Sequence, residues 1–172
     1  MDVQKTKRED VKALMNIINQ AKDYLKRMGI DQWQNGYPNE ETISSDIEQG
    51  VSYVVQENDI IVGAMALIFQ DEKTYRSIDG KWLSDGDYGV VHRLVIKEQL
   101  KGKGIADKLL DEAVTQARNQ GIEFLRIDTH RDNLSMQRWI NKNNFVFCGI
   151  IQLEDGALRN AYEKKVSEGN EV

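Results

Sequence analysis

Apolar positions along this chain repeat with two periods, and the switches between them mark the elements. Val11, Leu14, Met15, Ile18, Ala21 and Leu25 recur at helical spacing, which predicts an amphipathic helix ending near Gly29. Ile105, Leu109, Leu110, Ala113, Val114 and Ala117 predict a second long helix over Gly104 to Gln120. Asn39 is placed to cap a short helix ending near Gly50, and a further helix runs from Asn133 to Lys142. Seven runs read as strands: Val3 to Thr6, Ser52 to Gln56, Ile60 to Phe69, Tyr88 to Ile96, Ile122 to Thr129, Phe145 to Leu153, and Arg159 to Lys165. Asn58-Asp59 fits a hairpin turn between the second and third. Asp71 to Asp87 reads as a polar loop, with Trp82 in it placed to line an entrance. This mixed order predicts an α/β fold, a mixed central β-sheet of six to seven strands flanked by about four helices. The expectation is one domain over residues 1–166, with a frayed tail at 167–172.

One junction stands out. Between the strand ending at Ile96 and the helix beginning near Gly104 lies Gln99-Leu100-Lys101-Gly102-Lys103-Gly104-Ile105-Ala106. Two glycines here let the backbone turn sharply and come close to a ligand. The first amides of the helix have no intrahelical partners and carry the positive end of its dipole. The junction is therefore suited to an anion, most simply a phosphate. Lys101 and Lys103 either add charge to it or are solvated surface.

Charge and composition narrow the guest. The 172 residues carry a net charge of -5, so no whole-protein attraction to nucleic acid is expected, and any anion must be held locally. One cysteine, Cys148, excludes an internal disulfide and a cysteine-rich zinc site, and no metal is expected. Its strand position points to burial rather than to a nucleophile. The polar start Met1 to Asp10 and the short apolar run Ile60 to Phe69 predict neither a signal peptide nor a membrane span, hence a cytoplasmic protein.

Two phosphate motifs fail at named residues. The P-loop spacing is absent. The dinucleotide fingerprint needs a third glycine where this chain has Asp107, an acid that would face the pyrophosphate. Gln99-Leu100-Lys101-Gly102-Lys103-Gly104 instead resembles the acetyl-CoA loop of the GNAT N-acetyltransferases, Gln/Arg-x-x-Gly-x-Gly/Ala. Leu94-Val95-Ile96 resembles the end of that family's preceding strand. Asn133 and Lys142-Asn143-Asn144-Phe145 are similar to its later helix, with Asn144 in place of glycine.

The resemblance implies an acetyl-CoA-dependent N-acetyltransferase with direct transfer to a primary amine, most simply of a small molecule. It implies that amides from Lys101 to Ala106, Ile105 included, hold the pyrophosphate. Pantetheine would add to the backbone of Leu94, Val95 and Ile96, with Asn133 contacting it and Lys142 adding charge. Homodimers are common in such folds. A base is needed, because a free alkylamine has a pKa near ~10. His92 is the first candidate, two residues before Leu94 and so on its side of the strand, and His130 the second. Both also read as hydrogen-bonded structural histidines. Asp132 and Asn133 both look like helix caps, and for Asp132 capping outweighs any other role. Ile140 stands where the family often has an acidic tyrosine, and Tyr37, Tyr88 and Tyr162 are the substitutes considered. Trp33 and Tyr37 read as acceptor-pocket walls or as core plugs. The rival readings are a catalytically silent acyl-CoA sensor and a protein N-terminal acetyltransferase.

Overall fold

A computed structural model of the chain describes residues 1–166; the tail expected to fray, 167–172, lies outside the described residues. In chain order the elements are β1 (Asp2–Lys5), α1 (Val11–Arg27), α2 (Glu40–Glu48), β2 (Ser52–Glu57), β3 (Ile60–Ile68), β4 (Asp79–Gly80), β5 (Gly89–Ile96), α3 (Ile105–Asn119), β6 (Phe124–Thr129), α4 (Leu134–Lys142), β7 (Val146–Gln152) and β8 (Leu158–Lys165). The strands form an eight-stranded sheet in the order β1-β2-β3-β5-β6-β8-β7-β4. The fold is the mixed α/β class expected, with one more strand. The addition is β4, inside the segment expected to be a plain polar loop.

Helix ends are encoded locally. Asn39 caps α2 by accepting from the Thr42 amide at 2.9 Å, and Asn133 caps α4 by accepting from the Met136 amide at 3.3 Å. Of the two residues expected to cap α4, Asn133 is the one that does. All four helices close with the same Schellman bond: Ile30 N to Leu25 O, Val51 N to Asp46 O, Ile122 N to Ala117 O and Phe145 N to Ile140 O, at 2.8 to 3.2 Å. The residue before each donor is left-handed, at φ 66° to 70°; three are glycines and the fourth is Asn144. Asparagine is the side-chain-bearing residue that tolerates this region best, so Asn144 does the work of the glycine it replaces.

The chain forms two compact units. The first is Met1–Ile68 with Val91–Ala113. Here β1, β2 and β3 pair antiparallel, and the hairpin turn holds Asn58 and Asp59 at φ 51° and 64°. Its core joins Leu14, Ile17 and Ile18 of α1 to Ile43 of α2, Val54, Ile61 and Ala64 of the hairpin, and Val95 of β5. Gly63 sets how closely three elements approach. A Cβ there would lie 2.8 Å from Ile105 and 2.9 Å from Ile96, so only glycine lets β3 seat both the end of β5 and the start of α3.

The second unit is Phe69–Val90 with the chain from Val114 on. Gly89 and Val90 of β5 pair parallel with Leu125 and Arg126 of β6. The pairs β6–β8, β7–β8 and β4–β7 are antiparallel. Cys148 is buried on β7, as expected, and its Sγ donates to the Val146 carbonyl at 3.3 Å. Burial, with the Glu163 carboxylate nearby, pushes its thiol pKa up.

Segment 71–88 is held in place by a buried charge pair. Arg126 Nε donates to Glu163 at 2.5 Å, with side chains 5% and 0% exposed. The guanidinium lies 4.0 Å from the Trp82 ring centre and 3.8 Å from that of Tyr88, and Nη2 donates to the Ser84 carbonyl at 3.0 Å. Glu163 accepts from the Ser84 amide at 2.9 Å and its hydroxyl at 3.2 Å. Trp82 also donates to the Tyr75 carbonyl at 2.9 Å and packs on its ring. Trp82 therefore belongs to this cluster and not to an entrance, because a buried guanidinium needs flat, polarisable neighbours.

Candidate functional site

In the first unit β5 ends with the Lys97 amide donating to the Val62 carbonyl at 2.8 Å. A short 3-10 helix, Glu98–Leu100, comes next. α1 grips it: Gln20 accepts from the Glu98 amide at 3.4 Å, and Arg27 pairs with the Glu98 carboxylate at 2.6 Å. Lys101 Nζ lies 3.6 Å above the Tyr24 ring centre, and burial there lowers its pKa. Lys101 is thus tied to α1 while remaining exposed.

The backbone then turns through Gly102 at φ 78° and Gly104 at φ 82°. A Cβ at either position would meet no protein atom within 4 Å. Gln99 and the run from Lys101 to Gly104 are exposed, whereas Ile105 is buried and Ala106 half-buried. The first bond of α3 runs from the Lys108 amide to the Gly104 carbonyl at 3.2 Å, so the amides ahead of it are those a helix leaves without intrahelical partners. An anchored helix start beneath an open, glycine-lined turn suits a diphosphate chemically.

β5 itself is irregular. Arg93 sits at φ 52°, in the left-handed region. His92, Arg93 and Leu94 are all half-buried, while Gly89, Val90 and Val91 before them are all buried. The left-handed Arg93 thus stands between His92 and Leu94, where a regular strand would have extended backbone. Val95 is buried in the core and Ile96 half-buried. Arg93 makes a two-pronged pair with Asp46 of α2, both contacts 2.7 Å, and its Nη1 donates to the Tyr37 hydroxyl at 2.7 Å. Burial acts to lower the Arg93 pKa, but the Tyr37 and Asp46 oxygens reverse this and raise it. Of the two loop aromatics, Trp33 packs on the core, as a plug, and Tyr37 is exposed and joined to Arg93.

Neither Arg93 nor Asp46 was expected from the sequence. A signal existed for both. Arg93 interrupts an apolar strand, and Asp46 shares the inward face of α2 with Ile43 and Ile47.

The second unit holds the remaining candidates. His130 Nδ1 accepts from the Asp132 amide at 3.0 Å, which assigns the proton of the neutral ring to Nε2. Gln137 holds the carbonyls of His130 and Arg131 at 3.2 and 2.6 Å, so this turn is tightly built. Asn133 is buried as the α4 cap, and Lys142 is exposed in the last turn of α4. Ile140 is fully buried and offers no proton. Tyr88 donates to Asp71 at 3.0 Å and accepts from the Glu72 amide at 2.7 Å, and Tyr162 is buried against Phe147. Tyr75 was not singled out in the sequence. It donates to Asp128 at 2.6 Å, and burial with that carboxylate holds its phenol well above the usual range.

Among the described residues no helix is long and apolar enough to cross a membrane, and no group of three His, Cys, Asp or Glu side chains is placed to hold a metal. The model of the acetyltransferase (GNAT) family matches residues 14–145. A crystal structure of a GNAT-family acetyltransferase from Streptococcus agalactiae is similar at 31% identity and TM-score 0.87, over 98% of this chain and 96% of that one. An uncharacterized N-acetyltransferase of Bacillus subtilis, YesJ, is 21% identical over 92% of this chain and 87% of its own. The PaiA N-acetyltransferase from Thermoplasma acidophilum, solved in complex with coenzyme A, shares the fold at TM-score 0.72 and 19% identity, over 95% of this chain and 98% of that one.

Proposed function

This chain belongs to the acetyltransferase (GNAT) family, and from that premise we propose that it transfers acetyl from acetyl-CoA to the primary amine of a small molecule. The observation that carries the donor half is the turn at Gly102 and Gly104, left-handed at both and open above both. In this reading the amides from Lys101 to Ala106 receive the pyrophosphate, with Lys103 adding charge. Leu94, Val95 and Ile96 offer pantetheine their backbone, and the β5–β6 ladder, which spans Gly89 and Val90, leaves them out. Asn133 and Lys142 are assigned to the donor by the family resemblance alone.

The acceptor nitrogen attacks the thioester carbonyl only as the neutral amine. His92 accepts its proton, directly or through one water. The carbon–sulfur bond then breaks, and the sulfur leaves as a thiolate. With Ile140 and Tyr162 buried, Tyr88 bonded to Asp71 and Tyr37 bonded to Arg93, no protein acid is assigned to it, and none is required, since a thiol near pKa ~8.5 leaves readily as its anion. His130, fixed by Asp132, acts in positioning the turn before α4.

The test is free thiol released from acetyl-CoA across amines, polyamines, amino acids, aminoglycosides and peptides. A turnover on one small amine, together with a rise in melting temperature on adding acetyl-CoA, is expected. Stabilisation with no turnover on any amine would favour the sensor reading, which the burial of Ile140 supports. Turnover confined to peptides would move the acceptor to protein N-termini. His92→Ala should keep acetyl-CoA binding and lower kcat. An unchanged kcat removes His92 from that role.

A further inference from the structure

Arg93 is the one long side chain of β5 held at positive φ, at 52°. Left-handed backbone is unfavourable for a residue with a Cβ, so something must hold it there. The holding group is visible. Asp46 Oδ1 and Oδ2 accept from Nη2 and Nε, both at 2.7 Å, with the two side chains only 12% and 9% exposed. The fork geometry fixes the direction of the guanidinium as well as its distance. The third arm, Nη1 to the Tyr37 hydroxyl, ties the same group to the loop before α2. Leu94, the first residue assigned to the donor, is the next residue along the chain.

We propose that Arg93 is a positioning residue, clamped by Asp46 and Tyr37 so that β5 bends left-handed just ahead of Leu94 and presents its backbone to the acyl donor. This rests on the assignment of Leu94, Val95 and Ile96 to acetyl-CoA. It makes α2 and the loop carrying Tyr37 part of donor binding through Arg93. The acceptor-side loop and the donor strand then share one guanidinium.

Glycine separates this role from plain stability. It reaches φ 52° without steric cost, so Arg93→Gly can keep the bend without the clamp, whereas Arg93→Ala cannot. Acetyl-CoA is titrated calorimetrically into the full-length wild type, Arg93→Ala, Arg93→Gly, Asp46→Asn and Tyr37→Phe. Arg93→Ala and Asp46→Asn are expected to weaken binding by about tenfold or more, with Arg93→Gly recovering most of the loss. Tyr37→Phe, which removes one of three arms, should cost a few-fold. Wild-type affinity in folded Arg93→Ala and Asp46→Asn, or an Arg93→Gly variant no better than Arg93→Ala, overturns the proposal. Asp46→Asn keeps the shape of the site and serves if Arg93→Ala does not fold. A wild type that fails to bind acetyl-CoA instead overturns the donor reading, and this one with it.

Discussion

A Gly104→Val variant is expected to fold and to bind acetyl-CoA at least about a hundredfold more weakly than the wild type. Gly104 stands at φ 82°, and a Cβ there would meet no protein atom within 4 Å. The fold therefore has room for the side chain, and its cost falls on the backbone and on the guest. A non-glycine residue at left-handed φ costs roughly 1–2 kcal/mol, more when β-branched. Relief of that strain means rotating the turn, which withdraws amides whose hydrogen bonds to a charged group are worth about 1.5–3 kcal/mol each. The isopropyl group also occupies the open side. Apoprotein melting should fall by only about 2–8 °C. Isothermal titration with acetyl-CoA, beside a melting curve, checks both halves. Wild-type affinity in the folded variant would falsify the diphosphate assignment of this turn.

The largest stability effect is expected at Glu163, a residue with no catalytic assignment. Glu163→Ala should destabilise the protein by about 3–5 kcal/mol, because it leaves a buried guanidinium uncompensated. It also leaves the Ser84 amide and hydroxyl without the carboxylate that receives them. For a chain of this size the melting temperature should fall by roughly 6–20 °C. Replacing both partners, Arg126→Met with Glu163→Leu, is often close to neutral for an isolated buried pair. Here it should remain costly by about 1–3 kcal/mol for each Ser84 backbone group left unpaired. Urea denaturation followed by circular dichroism decides the matter. A single-variant loss below about 1 kcal/mol would mean that the pair does not hold segment 71–88.

These two sites differ in how openly the sequence displays them. The donor turn is a local object. Glycine supplies the left-handed φ, the apolar period of α3 begins directly after it, and the pieces lie within eight residues, so their meaning survives without tertiary information. Helix stops are local in the same way, including Asn144 in place of glycine. Arg93 with Asp46, and Arg126 with Glu163, are not. Their partners stand 47 and 37 residues away, so a charge that interrupts an apolar pattern can be noticed locally while the group that pairs with it cannot. The polar reading of segment 71–87 holds for most of it and leaves out β4 and the contacts to Arg126. Its composition is that of solvent-facing chain, yet Arg126 gathers Trp82, Ser84 and Tyr88 around itself and leaves them half-buried. His92 and Leu94 were expected on one side of β5 because strands alternate; the left-handed residue between them is invisible to that pattern.

Cys148 has a practical consequence at the bench. The reaction assigned to this protein liberates one thiol per turnover, and the chain contains one cysteine. That cysteine is buried, its Sγ is occupied with the Val146 carbonyl, and its pKa is raised, so at neutral pH it is a poor nucleophile toward disulfide reagents. A chromogenic disulfide added to the native enzyme should therefore count product coenzyme A with almost no background from the protein. The same shielding keeps released coenzyme A from being captured as a mixed disulfide during long incubations in air. Unfolding removes the shield, so the slow appearance of one extra thiol per chain doubles as a built-in clock of enzyme inactivation.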